Sequence, residues 1–208
     1  MKGNRIITIG RQIGSGGSEI GMEVAKRLGI QCYDRQLIEM ACNYGELDQD
    51  ILAEAEEKRP NPIFYSVPRQ MQNDKTGRGI AINDMVFNLQ SEVIRQLAEK
   101  ESCVFIGRCA DYVLREQPGV TSVFIYADMN VRIACLMERR RITRDEAITL
   151  IKKTDKSRRN YYECYTGKRW GAGASYDVTL NSAELGLDTC VDLICSLYER
   201  KQEGDAKA

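Results

Sequence analysis

The chain has 208 residues, 43% hydrophobic and 29% charged, enough for one domain with a full hydrophobic core. Thirty basic and thirty acidic residues cancel, so no overall charge draws the chain to nucleic acid or to a membrane surface. Histidine is absent, which excludes the usual general base, the Ser-His and Cys-His nucleophile pairs and the commonest zinc sites.

In chain order, the β-branched run Arg5 to Gly10 predicts a buried strand, and Gly14-Ser15-Gly16-Gly17 follows it. From Ser18 the apolar residues Ile20, Val24, Ala25 and Leu28 repeat at helical spacing until Gly29 stops the helix. A short strand, Ile30 to Tyr33, ends at Asp34, and two helices follow, Arg35 to about Tyr44 and Asp48 to Lys58. Residues 59–79 hold three of the four prolines and read as a surface loop or the rim of an inserted sub-domain. Ile82 to Lys100 is a long amphipathic helix, followed by a strand over Cys103 to Ile106 and a short helix near Tyr112. A strand over Ser122 to Tyr126, a helix over Asn130 to Arg141 and a basic helix from Arg144 to about Tyr162 come next. A last strand, Val178 to Leu180, leads into a helix from Leu187 to about Arg200.

Strands alternating with helices predict one α/β domain with a parallel sheet covered on both faces. No apolar run reaches membrane-spanning length, and Met1-Lys2-Gly3-Asn4 leads into a strand without a signal-peptide layout, so the expected location is cytoplasmic. The eight cysteines form no C-x-x-C pair and lie mostly in apolar segments, as buried thiols of a reducing compartment would.

A strand, then Gly-x-Gly-Gly-Ser, then a helix has a mechanism behind it. Glycines let backbone N–H groups turn inward around phosphate oxygens, and the helix N-terminus adds positive dipole. Gly14, Ser15, Gly16, Gly17 and Ser18 are therefore candidate nucleotide-phosphate ligands, with the Ser18 hydroxyl placed for Mg²⁺. Against G-x-x-x-x-G-K-[ST], residues 11–18 keep the second Gly and the Ser, but Arg11 replaces the first Gly and Gly17 replaces the Lys. A Gly-rich turn capped by Ser18 is the plainer alternative. A dinucleotide site, with Asp34 as its ribose acid, is the other, but the third glycine of G-x-G-x-x-G falls on Glu19.

The run from Ile7 to Gly21 and Cys32-Tyr33-Asp34-Arg35 resemble the cytidylate kinase-like family. So do residues 104–108, 123–127 with Arg132, 152–162 and 176–182, which extends the resemblance over nearly the whole chain. It implies a three-layer P-loop NTPase fold with a parallel sheet, a helical acceptor-binding insertion near residues 35–80 and an Arg-rich lid near 139–165. It also implies ATP- and Mg²⁺-dependent phosphoryl transfer to a nucleoside monophosphate, CMP or dCMP foremost, and small-molecule nucleotides as partners. In that family the loop Lys is commonly absent. Asp34 and Arg35 match the segment that meets the acceptor nucleotide, and Gly107-Arg108 matches a Gly-Arg-Asp segment whose Arg grips the acceptor phosphate. Here Cys109 replaces that Asp, and Asp111 lies two residues on. Arg132 and the cluster Arg139-Arg140-Arg141 match the lid region, as do Asp155, Arg158 and Arg159, with Asp155 toward the substrate.

Phosphoryl transfer spreads charge over equatorial oxygens, so its catalysis is mostly positioning plus cation clamps. Arg11 or a lid arginine (Arg139, Arg158, Arg159) is expected to supply the charge of the missing Lys. Asp34 reads as a substrate hydrogen-bond acceptor, since an attacking phosphate needs little help from a base. Trp170 reads as a packing anchor, and Tyr161, Tyr162 and Tyr165 as core or rim. Two rival functions remain: a nucleotide-binding regulator without turnover, and a kinase for another small acceptor.

Overall fold

The computed structural model describes residues 4–34 and 82–204. Its centre is a five-stranded, wholly parallel sheet: β1 (Ile6–Arg11), β2 (Gln31–Tyr33), β3 (Cys103–Ile106), β4 (Val120–Tyr126) and β5 (Val178–Asn181), in the order β2-β3-β1-β4-β5. The helices are α1 (Gly17–Leu28), α2 (Ile82–Lys100), α3 (Ala110–Val113), α4 (Met129–Arg140), α5 (Arg144–Thr166), α6 (Ser182–Leu185) and α7 (Leu187–Gly204), with a 3-10 turn over Gly173–Ser175.

Alternation along β1 explains the layers. Ile7 and Ile9 face one way, into a core built with Ile20, Val24 and Ala25 of α1 and Cys190, Val191 and Ile194 of α7. Ile6 faces the other way, against Val93, Ile94 and Leu97 of α2 and Val113 of α3. Strands covered on both faces have to be apolar throughout, which is why β3 reads Cys-Val-Phe-Ile with every residue buried. The result is the three-layer α/β arrangement of P-loop NTPases.

A third cluster occupies the α2 side near the carboxyl ends of the strands. Phe124, Tyr161, Tyr162 and Tyr176 are buried there, with Trp170 edge-on to Phe124 at a centroid distance of 5.2 Å. Trp170 and the tyrosines of α5 are thus packing groups, as their sequence context predicts. Asp177 ties β5 to β4, accepting from Ser122 N at 2.8 Å and lying 3.0 Å from Ser122 Oγ. A fourth cluster joins α4 to α5 through Ile133, Leu136, Ala147 and Ile151.

The element boundaries differ from the sequence reading in three informative places. β4 begins at Val120, because Ile6 of β1 already pairs with it. α5 runs on to Thr166, where Gly167 closes it at φ 67°. α6 follows β5 at once, and Asn181 caps it by accepting from Ala183 N at 3.1 Å. The two helices expected over 35–58, the loop 59–79 and the acceptor-binding insertion lie outside the described residues. Among the described residues no helix is long and apolar enough to cross a membrane.

Candidate functional site

Because β3 and β4 flank β1 on opposite sides, connections diverge at its carboxyl end and leave a crevice there, where open α/β sheets take their ligands. Residues 12–16 turn through it. Gly14 and Gly16 both lie in the left-handed region, at φ 77° and 75°, which a side chain would strain. Gly16 is the N-cap of α1 and no side chain caps the helix. Ser18 is therefore in the first turn, and the plainer reading of it as a cap does not hold. Ile20 N makes the bond to Gly16 O at 2.9 Å, so the amides of Gly17, Ser18 and Glu19 precede the helical ladder and point from its positive end.

Distant side chains hold the loop in shape. Ser182 Oγ donates to Ser15 O at 2.7 Å, and Ser15 Oγ donates to Gln12 O at 2.9 Å. Ala127 N donates to Gln12 Oε1 at 3.2 Å. From α5, Asp155 Oδ1 accepts the Ile13 amide at 3.0 Å, while Asp155 Oδ2 pairs with Arg132 of α4. Arg132 Nε in turn donates to Ile13 O at 2.8 Å. Asp155, expected at the substrate, has both oxygens committed to this clamp and does not line the cavity described next; it is a positioning group for the loop.

The loop opens onto a cavity of about 530 Å³. Gly14, Gly16, Gly17 and Ser18 form one wall, Asp34 and Arg108 line it from the ends of β2 and β3, and α4 and α5 contribute the rest. Ser15 is buried and supports the loop from behind. Six cations line the cavity, Arg11, Arg108, Arg139, Arg140, Lys153 and Arg158, against two carboxylates, Glu19 and Asp34. That excess is the local charge that the neutral whole chain conceals, and it suits a polyanion.

Arg108 is the most unusual of the six. It is 5% exposed, yet among the described residues its Nε and Nη1 have no hydrogen-bond partner. Gly107, Arg108 and Cys109 have φ of 75°, 59° and 53°, three consecutive left-handed residues. Two of them are non-glycine, at about 1–2 kcal/mol each. Strain that holds a buried cation with two unsatisfied nitrogens, among the described residues, beside a cavity is an expected feature of a ligand site. Cys109 is buried against the aromatic cluster. Asp111 accepts from Tyr162 OH at 2.7 Å, and burial raises its pKa above the usual carboxylate range. It lines, with Gly107, Arg108 and Arg158, a smaller chamber of about 30 Å³ behind the main one.

The lid arginines separate by helical phase. Arg158 lines both cavities and donates through Nη1 to Arg11 O at 3.1 Å. Arg159 is exposed and lies over the Trp170 ring, 5.9 Å from its centroid, away from the cavity. Arg139 pairs with Glu19 at the rim, both of them exposed. Arg11 Nη2 lies 3.5 Å from Asp34 Oδ1. Arg35 falls outside the described residues. The predicted set thus meets as Arg11, Gly14, Gly16, Gly17, Ser18, Asp34, Arg108, Arg139 and Arg158, with Gly107 at the chamber behind. Arg140, expected in the lid cluster, also lines the cavity, whereas sequence reasoning missed Lys153 on its wall and Ser182 behind the loop.

A family model described as "Cytidylate kinase-like family" matches residues 6–184. The chain is similar to the crystal structure of an uncharacterized protein from Eubacterium ventriosum ATCC 27560, at 26% identity and a TM-score of 0.71, covering 94% of this chain and 99% of that one. Shikimate kinase from Bacteroides thetaiotaomicron aligns at 14% identity and a TM-score of 0.54, covering 94% and 98% of the two chains. A gluconokinase from Sinorhizobium meliloti 1021 aligns at 15% and 0.56, covering 98% and 97%. At those two identities the likeness is one of fold. No curated protein matches the sequence.

Proposed function

This chain belongs to the cytidylate kinase-like family, and from that membership and the geometry of its loop we propose that it transfers a phosphoryl group from ATP to a small anionic acceptor. The observation that carries the reading is the cavity bounded by the amides at the start of α1 on one side and on the other by the buried Arg108 guanidinium, whose Nε and Nη1 have no partner among the described residues. A donor polyphosphate lies along Gly14–Ser18. An acceptor phosphate takes the donors of Arg108, next to Asp34. The family points to a nucleoside monophosphate, with CMP or dCMP as the acceptor.

The fit to Mg²⁺ is through Ser18, which lines the cavity in the first turn of α1. Among the described residues no group of three or more His, Cys, Asp or Glu side chains converges, so the ion's remaining ligands would come from nucleotide and water. Bound there, it would neutralise charge on the donor phosphates. The protein's own contribution is positioning and cations. Backbone amides fix the donor, Arg108 fixes the acceptor, and Arg11, Arg139 and Arg158 surround the space between them, where negative charge spreads during transfer. Closure of the cavity walls excludes water, the competing nucleophile.

A coupled ADP-release assay across CMP, dCMP, UMP, AMP, shikimate and gluconate tests this. Turnover with CMP or dCMP supports the specific reading, and turnover with a non-nucleotide alone moves the acceptor class. ATP binding without turnover on any acceptor supports the regulator instead, the reading favoured by Gly17 in the position of the loop Lys.

A further inference from the structure

Resting on that donor-site reading, we infer that the loop's cation has moved from position 17 to position 11, so that Arg11 is the residue that meets the transferred phosphoryl group. The two departures from the usual loop spelling, Arg for Gly at the first position and Gly for Lys at the seventh, are then one exchange rather than two losses.

Space makes them a single event. A Cβ built on Gly17 would lie 2.5 Å from Arg11 Cβ, 3.2 Å from Arg11 Cγ and 3.2 Å from Ile125 Cβ. No side chain at 17 fits against a side chain at 11 without backbone movement. The stem of Arg11 therefore occupies the volume through which a side chain at 17 would leave the loop. A glycine at 11 would vacate it. Arg11 ends β1, 8% exposed, and its stem crosses the first residue of α1.

The head group goes where the chemistry needs it. Arg11 borders the same cavity as Gly14, Gly16 and Ser18, and also the chamber shared with Arg108. Its Nη2 is 3.5 Å from Asp34 Oδ1. The guanidinium thus spans the donor loop and the acceptor end of the site. It has five N–H donors, enough to face a carboxylate on one edge and phosphoryl oxygens on another. Three other arginines are engaged elsewhere. Arg132 belongs to Asp155, Arg139 to Glu19 at the rim, and Arg159 to the Trp170 ring. Arg158 holds the Arg11 carbonyl and so supports this placement.

The test is a cycle of four proteins, wild type, Arg11→Gly, Gly17→Lys and the double variant, with Arg11→Met as a bulk-preserving control. Each is read by calorimetric affinity for a non-hydrolysable ATP analogue, by melting temperature and by ADP release. Gly17→Lys alone is expected to melt lower and to bind poorly, because its Cβ meets Arg11. Arg11→Met is expected to melt near wild type and to lose about 10- to 100-fold in analogue affinity. Arg11→Gly with Gly17→Lys is expected to return to within about fivefold of wild-type affinity and to regain turnover. If wild type binds the analogue and Arg11→Met binds and turns over equally well, the inference falls and the donor site stands. It also falls if the double variant is no better than the worse single one. If wild type itself binds no analogue, the donor-site reading fails and takes this inference with it.

Discussion

Replacing Arg108 by Met separates a cation kept for a ligand from one kept for the fold. Met has a similar reach and no donors, and it keeps a non-glycine residue at φ 59°, so the backbone strain is unchanged. Wild type buries two guanidinium nitrogens without a partner among the described residues, and an unsatisfied buried donor costs about 1–3 kcal/mol. Removing them should therefore stabilise the protein by about 1–3 kcal/mol, a rise of roughly 2–4 °C in Tm for each kcal/mol at this chain length. Function should move the other way. A hydrogen bond to a charged group is worth about 1.5–3 kcal/mol, so the acceptor KM should rise roughly 10- to 150-fold. The affinity for an ATP analogue should change less, since the glycine loop supplies most of the donor contacts. Thermal melts and an acceptor titration of ADP release measure both quantities. A variant that melts below wild type with an unchanged acceptor KM would refute the reasoning, because Arg108 would then be a structural group.

Asp155→Ala should destabilise by about 3–5 kcal/mol, since Arg132 is left buried without its counter-charge, and nucleotide affinity should fall as the Ile13 amide loses its anchor; melting and calorimetry read these. Glu19→Gln should leave stability within about 1 kcal/mol, because the Arg139 pair is exposed, yet tighten ATP-analogue binding several-fold at low salt by removing a carboxylate from the cavity. Asp111 binds its proton more tightly folded than unfolded, so its contribution is present at low pH and is lost as pH rises from about 3.9 through its raised value. Asp111→Asn should flatten that part of the stability–pH profile, measured by denaturant unfolding at successive pH values; an unchanged slope would place the carboxylate in water.

The sheet was readable because strands covered on both faces have to be largely apolar, and Arg5 to Gly10, Cys103 to Ile106 and Ser122 to Tyr126 are short β-branched or aromatic runs of that kind. Helix ends were readable where glycine adopts the left-handed conformation, as at Gly29. Two such signals were present but unused. Thr143-Arg144-Asp145-Glu146 is a capping box, observed at the start of α5, and Gly167 marks its end. The same helix held the key to its arginines. Ile151, Asp155 and Tyr162 are buried at four- and seven-residue steps, and Arg158 continues that stripe while Arg159 does not. What could not be read is contact across the chain. Asp155 meets an amide 142 positions away, and Gly17 meets the stem of Arg11 only because a strand end folds over a helix start.

That long-range clamp also limits how the site can close. Arg132, in the first turn of α4, and Asp155, midway along α5, join both helices to the backbone of Ile13, so neither can move away from the loop without leaving a charge buried and alone, at about 3–5 kcal/mol. The rim contact between Glu19 and Arg139 is exposed, and an exposed pair is worth about 1 kcal/mol at most. An incoming polyanion therefore competes for Arg139 at small cost and leaves the clamp at the loop intact. Between the last turn of α4 and the cap of α5 the chain turns at Arg141, held at φ 54°, so this tip presents three consecutive exposed arginines. The buried, fully bonded clamp thus lies behind the loop and the exposed rim cations in front of it, an arrangement that suits the proposed phosphoryl transfer.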